Sequence, residues 1–237
     1  LNEPIHLHPT APLAERVLLP GDPGRALLLA QSLLAEPKMF NHNRGLWGYT
    51  GIAADGEPLT VQSTGMGGPS AAIVISELAD LGARRLVRVG TCGALDDSLA
   101  LGDLVVVTEA LAGDGTSRAL GARDRVAPSL ELVAAARAAA AGEGDVHLGA
   151  VATTDLFYDH RAEAEQAWVA AGALAVEMES ATLFTLAAKR ALQAASILIV
   201  TDVLLPARRR LDPDSLRAAE HRLGELAVRA LPALVAD

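Results

Sequence analysis

The sequence predicts one α/β domain spanning residues 1–237, and three observations carry that expectation. The composition is 51% hydrophobic but only 3% aromatic, so Ala, Leu and Val must fill the interior, and such small side chains suit close packing of helices on a sheet. Short β-branched runs alternate with longer stretches of helical period. Three times before residue 95 a strand-like run meets glycines, at Gly21-Asp22-Pro23-Gly24, Gly65-Met66-Gly67-Gly68 and Gly90-Thr91-Cys92-Gly93. Such junctions on alternating elements point to a parallel sheet whose strand ends gather around one ligand.

Leu1 to Leu13, rich in Pro and His, reads as an arm outside the core, with His6 and His8 as solvated side chains. Arg16 to Pro20 is a strand. Arg25 opens the helix that follows, with Pro23 near its first turn and Leu27, Leu28, Leu33 and Leu34 as its apolar positions. Its first N–H groups favour an anion, although turns of this composition mostly just turn. Asn41 to Gly51 leads into a strand that pairs with Pro58 to Thr64 as a hairpin across Asp55-Gly56, and Arg44 sits at the loop edge. Pro69 begins an Ala- and Ile-rich helix reaching about Leu81.

The stretch from Arg85 to Leu95 organises the rest. Leu86, Val87 and Val89 form a buried strand ending in Gly90, where Thr91 and Gly93 open an anion-binding turn. Arg88 lies inside that strand, and a buried guanidinium costs several kcal/mol unless it is paired. Either a carboxylate or a bound anion must therefore face it.

Leu104 to Thr108 is a strand, Asp114-Gly115-Thr116 a turn, Pro128 to Ala141 a helix and Val146 to Ala152 a strand. Thr153 to Asp159 is a polar loop carrying Phe157 and Tyr158, which belong either to the core or to a platform for a planar ligand. Arg161 to Ala171 reads as a helix and Leu174 to Val176 as a strand. An amphipathic helix from Met178 to Arg190 places Glu177 and Glu179 at a strand end and a helix start. Ala194 to Thr201 is the last strand, ending at Asp202, and a helix from Asp212 to Val235 closes the chain.

The formal net charge of −9, with Arg208 to Arg210 the one basic cluster, argues against nucleic-acid binding. A single cysteine, Cys92, excludes an intrachain disulfide framework and makes a reduced, cytoplasmic setting the expectation. No apolar run of about 18 residues and no signal peptide is evident, so no membrane partner is expected. The scattered histidines and lone cysteine show no metal-ligand spacing, so neither a metal nor an organic cofactor is expected.

The candidate groups divide by chemistry. Arg25, Arg44, Arg88, Thr91 and the glycine nests describe a site for inorganic phosphate or a phosphoryl group. Glu177, Met178 and Glu179 offer acceptors for vicinal hydroxyls beside an apolar surface, and Phe157 offers a face for a base. Asp202, a lone carboxyl at a buried strand end, is placed to donate a proton. Together they spell phosphorolysis of a nucleoside. A non-catalytic nucleoside-binding α/β protein is the alternative of another class.

The motifs Gly21-Asp22-Pro23-Gly24-Arg25, Asn43-Arg44-Gly45 with Gly48-Tyr49-Thr50-Gly51, Gly65 to Ser70, Arg88 to Ala94 and Val176 to Ala181 resemble the hexameric purine nucleoside phosphorylase and uridine phosphorylase family. The resemblance covers nearly the whole chain in order. It implies a single domain with a central mixed, twisted β-sheet flanked by α-helices. It implies Gly21, Arg25, Arg88 and Thr91 as phosphate ligands, joined by Arg44 of a neighbouring subunit. His6 of that neighbour would reach the ribose, although one gap would exchange it with His8. Met66, Met178 and Glu179, with Glu177 alongside, would contact the nucleoside sugar, and Phe157 and Gly93 the base. Asp202 would be the general acid at purine N7, with Arg208 or Arg217 as its partner. The resemblance further implies a homohexamer built as a trimer of dimers, with purine nucleoside and phosphate as substrates. A uridine phosphorylase and a nucleosidase of the same fold stay as alternatives. The short segment from Asp159 to Ala173 lacks the insertion of the uridine enzymes, whereas Thr64 to Ser70 and Asp114-Gly115-Thr116 are also close to them.

Overall fold

Four consecutive buried residues, Arg16–Leu19, form β1, and the later β-branched runs form most of its neighbours. The computed structural model describes residues 4–142, 145–158, 162–203 and 208–232. Its further strands are β2 (Ala35–Asn41), β3 (Gly48–Ile52), β4 (Pro58–Gln62), β5 (Arg85–Ala94), β6 (Leu104–Ala112), β7 (Arg125–Val126), β8 (Val146–Thr153), β9 (Ala173–Glu177), β10 (Gln193–Val203) and β11 (Arg209–Arg210). The helices are α1 (Pro23–Leu33), α2 (Gly68–Leu81), α3 (Gly115–Ala119), α4 (Leu130–Ala139), α5 (Ala162–Ala170), α6 (Ser180–Arg190) and α7 (Pro213–Arg229).

Among the described residues the strands make one sheet in the order β11-β10-β6-β8-β9-β5-β1-β4-β3-β2, with β7 beside β6. An additional β5–β10 pairing closes β5, β10, β6, β8 and β9 into a ring. The sheet is mixed, as the family resemblance implies, with the parallel strands that the glycine junctions point to forming part of it. Strands β4, β1, β5 and β10 run parallel, whereas β6 and β9 meet β10 and β5 antiparallel. The cause is a connection length. Only Leu95 to Asp103, without a helix, joins β5 to β6, too little for a crossover, so the chain turns back.

Helices cover both faces. α2 and α6 pack Val74, Ile75, Leu78, Leu183 and Phe184 against Leu86, Cys92 and Ala94 of β5. On the other face α1, α4 and α7 pack Leu29, Leu132, Leu223 and Leu226 against Val87 and Val89. The alternation along β5 assigns Arg88 to the α2 and α6 face.

Several local expectations change. β5 runs through Gly90 to Ala94 instead of ending in a turn, because its second half is paired by both β9 and β10. Asp114 starts α3 by accepting the Ser117 N–H, so that segment is a helix cap and not a bare turn. Residues Ser180 to Ala187 of α6 are all buried, because the helix lies between α2 and the sheet; it is not a half-exposed amphipathic helix. α7 ends at Arg229, and the remainder of the expected helix falls partly at 233–235, outside the described residues. β2, with mostly exposed residues and a proline, carried no strand signal.

The N-terminal arm is not outside the core. Leu7 is fully buried, and Glu77 of α2 accepts the backbone N–H groups of Ile5, His6 and Leu7 and bonds the His6 ring at 2.7 Å. Burial favours the neutral acid, but these donors outweigh it and hold the Glu77 carboxyl below its ordinary range. A depressed carboxyl contributes stability above its unfolded pKa that disappears as pH falls through its folded value. Glu77→Gln is accordingly expected to lower the melting temperature most near neutral pH, with the gap to the parent closing in acid. Thermal melts from pH 7 downward check this; a gap of constant size would refute it.

Candidate active site

The site is assembled where β5, β9, β10 and the loops after β1, β4 and β8 meet. Gly93 of β5 lies between Val176 of β9 and Asp202 of β10, so one residue ties the Glu-Met-Glu corner to the carboxyl at the end of the last long strand. Gly21, after β1, backs onto the Gly65 carbonyl, with 3.2 Å to that oxygen from where a Cβ would stand. The two glycine loops are thereby adjacent.

Arg88 is buried and bound by two carboxylates. Its Nε donates to Glu177 at 3.0 Å and its NH2 lies 2.6 Å from Glu179. Burial opposes its charge, but Glu179 and Glu177 outweigh that and raise its pKa. Of the two partners left open by the sequence, carboxylate or anion, the structure supplies carboxylates. Gly90 makes the geometry possible, because a Cβ there would fall 2.6 Å from the guanidinium carbon. The side chain folds back over its own strand.

Glu177 is filled by protein groups: the Arg88 Nε, the Thr153 hydroxyl and the N–H groups of Glu179 and Ser180 at the start of α6. The sequence placed it with the nucleoside contacts, whereas here it caps a helix and seats an arginine. Glu179 keeps the other position. It takes the Gly67 N–H as well as Arg88, and Gly67 reaches it from a backbone with φ of 83°, a left-handed conformation suited to glycine. Burial pushes the Glu179 carboxyl up, against the pull of Arg88. Arg25, in the first turn of α1, also pulls on Glu179 and gives its Nε to Glu220 of α7 at 2.7 Å.

Asp202 is not a lone carboxyl. Its Oδ1 accepts from Arg208 at 2.9 Å and lies 3.3 Å from Arg210, which stands opposite it in the β10–β11 pair. Its Oδ2 accepts from the Thr201 hydroxyl at 3.0 Å. Of the two arginines weighed as its partner, Arg208 takes the place and Arg217 lies along α7. Arg208 also covers the Phe157 ring, 5.1 Å from its centroid, so one guanidinium links the carboxyl to the aromatic. Phe157 is 51% exposed and meets Tyr158 edge-on, which decides between core and platform in favour of the surface. Its loop is tied down by Asp155, whose carboxylate accepts the Gly115 N–H at the start of α3.

The remaining candidates are spread. Thr91 and Met178 are partly exposed beside the cluster, and Met66 is 85% exposed on the Gly65 loop. His6 and Arg44 stand apart with each other: the Asn43 side chain donates to the His6 carbonyl at 2.9 Å, and His6 is anchored to Glu77, ten residues along α2 from Gly67. Arg44 is exposed, has φ of 56° and makes no ion pair among the described residues.

The model of the phosphorylase superfamily matches residues 15–233, nearly the whole of this chain. The chain belongs to that superfamily. Relatives within it include the protein named purine nucleoside phosphorylase DeoD-type from Clostridium perfringens, 40% identical over 82% of this chain and 84% of its own length. Proteins of the same name from Jannaschia sp. and Caldanaerobacter subterraneus are also 40% identical, each over 81% of this chain and 84% of theirs. Within this superfamily member, three site contributors escaped the sequence, Thr201, Arg210 and Glu220, while Gly67, from a glycine junction that the sequence singles out, contributes its N–H. Arg210 had a signal in the basic cluster. Glu220, in mid-helix and 195 residues from Arg25, had none.

Proposed function

We propose that this chain is a purine nucleoside phosphorylase, transferring the pentose of a purine nucleoside to inorganic phosphate. The observation that carries the reading is the line Asp202–Arg208–Phe157, a carboxyl and a half-exposed ring joined by one guanidinium beside the buried arginine site. The names of the relatives agree with it.

In this reading the base lies by Phe157 and Gly93, and Glu179 takes the sugar hydroxyls with Met66 and Met178 against the ring. Phosphate sits among Gly21, Arg25, Arg88 and Thr91. The C1′–N9 bond breaks as a C1′–O bond to phosphate forms, and the sugar carries oxocarbenium character between them, stabilised by the dianion. Asp202, whose Oδ2 meets the Thr201 hydroxyl and no guanidinium, acts as general acid to N7, and Arg208 and Arg210 stabilise the carboxylate left behind. Free base and pentose 1-phosphate result. No metal or organic cofactor enters the scheme.

Charge counting supports assembly with a second copy. Arg25 and Arg88 are matched by three carboxylates, Glu177, Glu179 and Glu220, so one chain offers a phosphate dianion no surplus cation. The exposed Arg44 beside His6 supplies one when a neighbouring copy lays that face on this site. The reading takes this to a homohexamer, a trimer of dimers in the cytoplasm, with residues 1–237 as one catalytic domain. Among the described residues no helix is long and apolar enough to cross a membrane.

A spectrophotometric panel of inosine, guanosine, adenosine and uridine, each with and without phosphate, tests the activity. Purine nucleosides are expected to be cleaved only with phosphate. Preferential uridine cleavage would give the uridine enzyme, base release in water a nucleosidase, and binding without product a non-catalytic protein.

A further inference from the structure

The two buried arginines of the site are held in the same way. Arg88 gives its Nε to the buried Glu177, and Arg25 gives its Nε to Glu220, both members of the second pair being largely shielded from solvent. A guanidinium carries five donors in a rigid plane, so fixing Nε fixes where the terminal nitrogens stand. Those of Arg25 donate to no group among the described residues, while its charge reaches Glu179 at the centre of the site. Glu220 comes from α7, whose buried Ala219, Leu223 and Leu226 pack on the same face as α1. The carboxylate is therefore presented by a helix with little freedom to follow a wandering side chain.

Resting on the phosphorolytic reading, we propose that Glu220 is the positioning residue for Arg25, seating its Nε so that the terminal nitrogens are pre-set for phosphate. Glu177 does the same for Arg88 but also caps α6, so its removal would confound seating with folding. Glu220 has no such second duty and isolates the effect. Holding the fork in advance removes part of the ordering cost of binding an oxyanion.

Position and charge separate in two conservative variants. Glu220→Asp keeps the charge and shortens the arm by one methylene, drawing Nε out of place. Glu220→Gln keeps the length and the acceptor oxygen and removes the charge. Phosphate binding to each folded protein is measured by titration calorimetry, without nucleoside. The aspartate variant is expected to weaken phosphate binding by about tenfold, because an ångström of misplacement is costly in a pre-set site. The glutamine variant should stay within about threefold of the parent, since its neutral acceptor still takes the Nε–H. The reverse order, or equal affinities in all three proteins, would overturn the proposal. Phosphate binding by the parent without phosphate-dependent cleavage would refute the enzyme reading while the variant order still decides Glu220. A parent that binds no phosphate would overturn both.

Discussion

Asp202→Ala is expected to lower the turnover of inosine by about 100- to 10,000-fold, the range typical of a lost general acid, while phosphate affinity stays near that of the parent. The separation follows from the geometry. Asp202 closes β10 beside Gly93 and is bonded by Thr201, Arg208 and Arg210, whereas the phosphate arginines Arg25 and Arg88 are held by Glu220, Glu177 and Glu179. Removing the carboxyl releases the Arg208 and Arg210 guanidiniums, both partly or well exposed, so water can take over and little stability should be lost. Steady-state kinetics with inosine and phosphate varied independently check the prediction. Unchanged turnover would remove Asp202 from the chemistry, and a parallel loss of phosphate affinity would show that the two clusters are not separate.

Arg88→Ala is expected to damage both binding and the fold. Phosphate loses a guanidinium, so the phosphate requirement should rise steeply. Glu177 and Glu179 are left buried without their cation, and breaking a buried pair by removing one partner typically costs about 3–5 kcal/mol. The pH dependence gives the signature. Burial already raises the Glu179 carboxyl, and without Arg88 nothing comparable opposes that rise. A carboxyl whose folded pKa lies above its unfolded value favours folding at acid pH and opposes it as pH increases. The variant should thus recover stability relative to the parent as pH falls from 7 toward 5. Denaturant titrations at the two pH values measure it, and an equal deficit at both would show that the carboxylates are not the cause.

Local patterns wrote much of the fold and the inventory of the site. The hairpin of β3 and β4, the Pro-started helices α1 and α2, the strands β1, β8 and β10 and the aromatic loop after β8 each carry their signal within a few residues, because turn geometry and burial period are local properties. The same holds for the buried Arg88, whose charge in an apolar run demands a partner wherever the chain goes. Tertiary structure alone decided which partner. That Glu177 and Glu179 both reach Arg88, that Arg208 and not Arg217 bonds Asp202, that Glu220 seats Arg25 and that the arm lies under Glu77 all depend on segments distant in sequence. Ring closure through the β5–β10 and β5–β9 pairs brings them together. Side-chain type and spacing specify what a residue can offer. Which groups stand within 3 Å of it is set by strand order and helix packing, which no single stretch of sequence encodes.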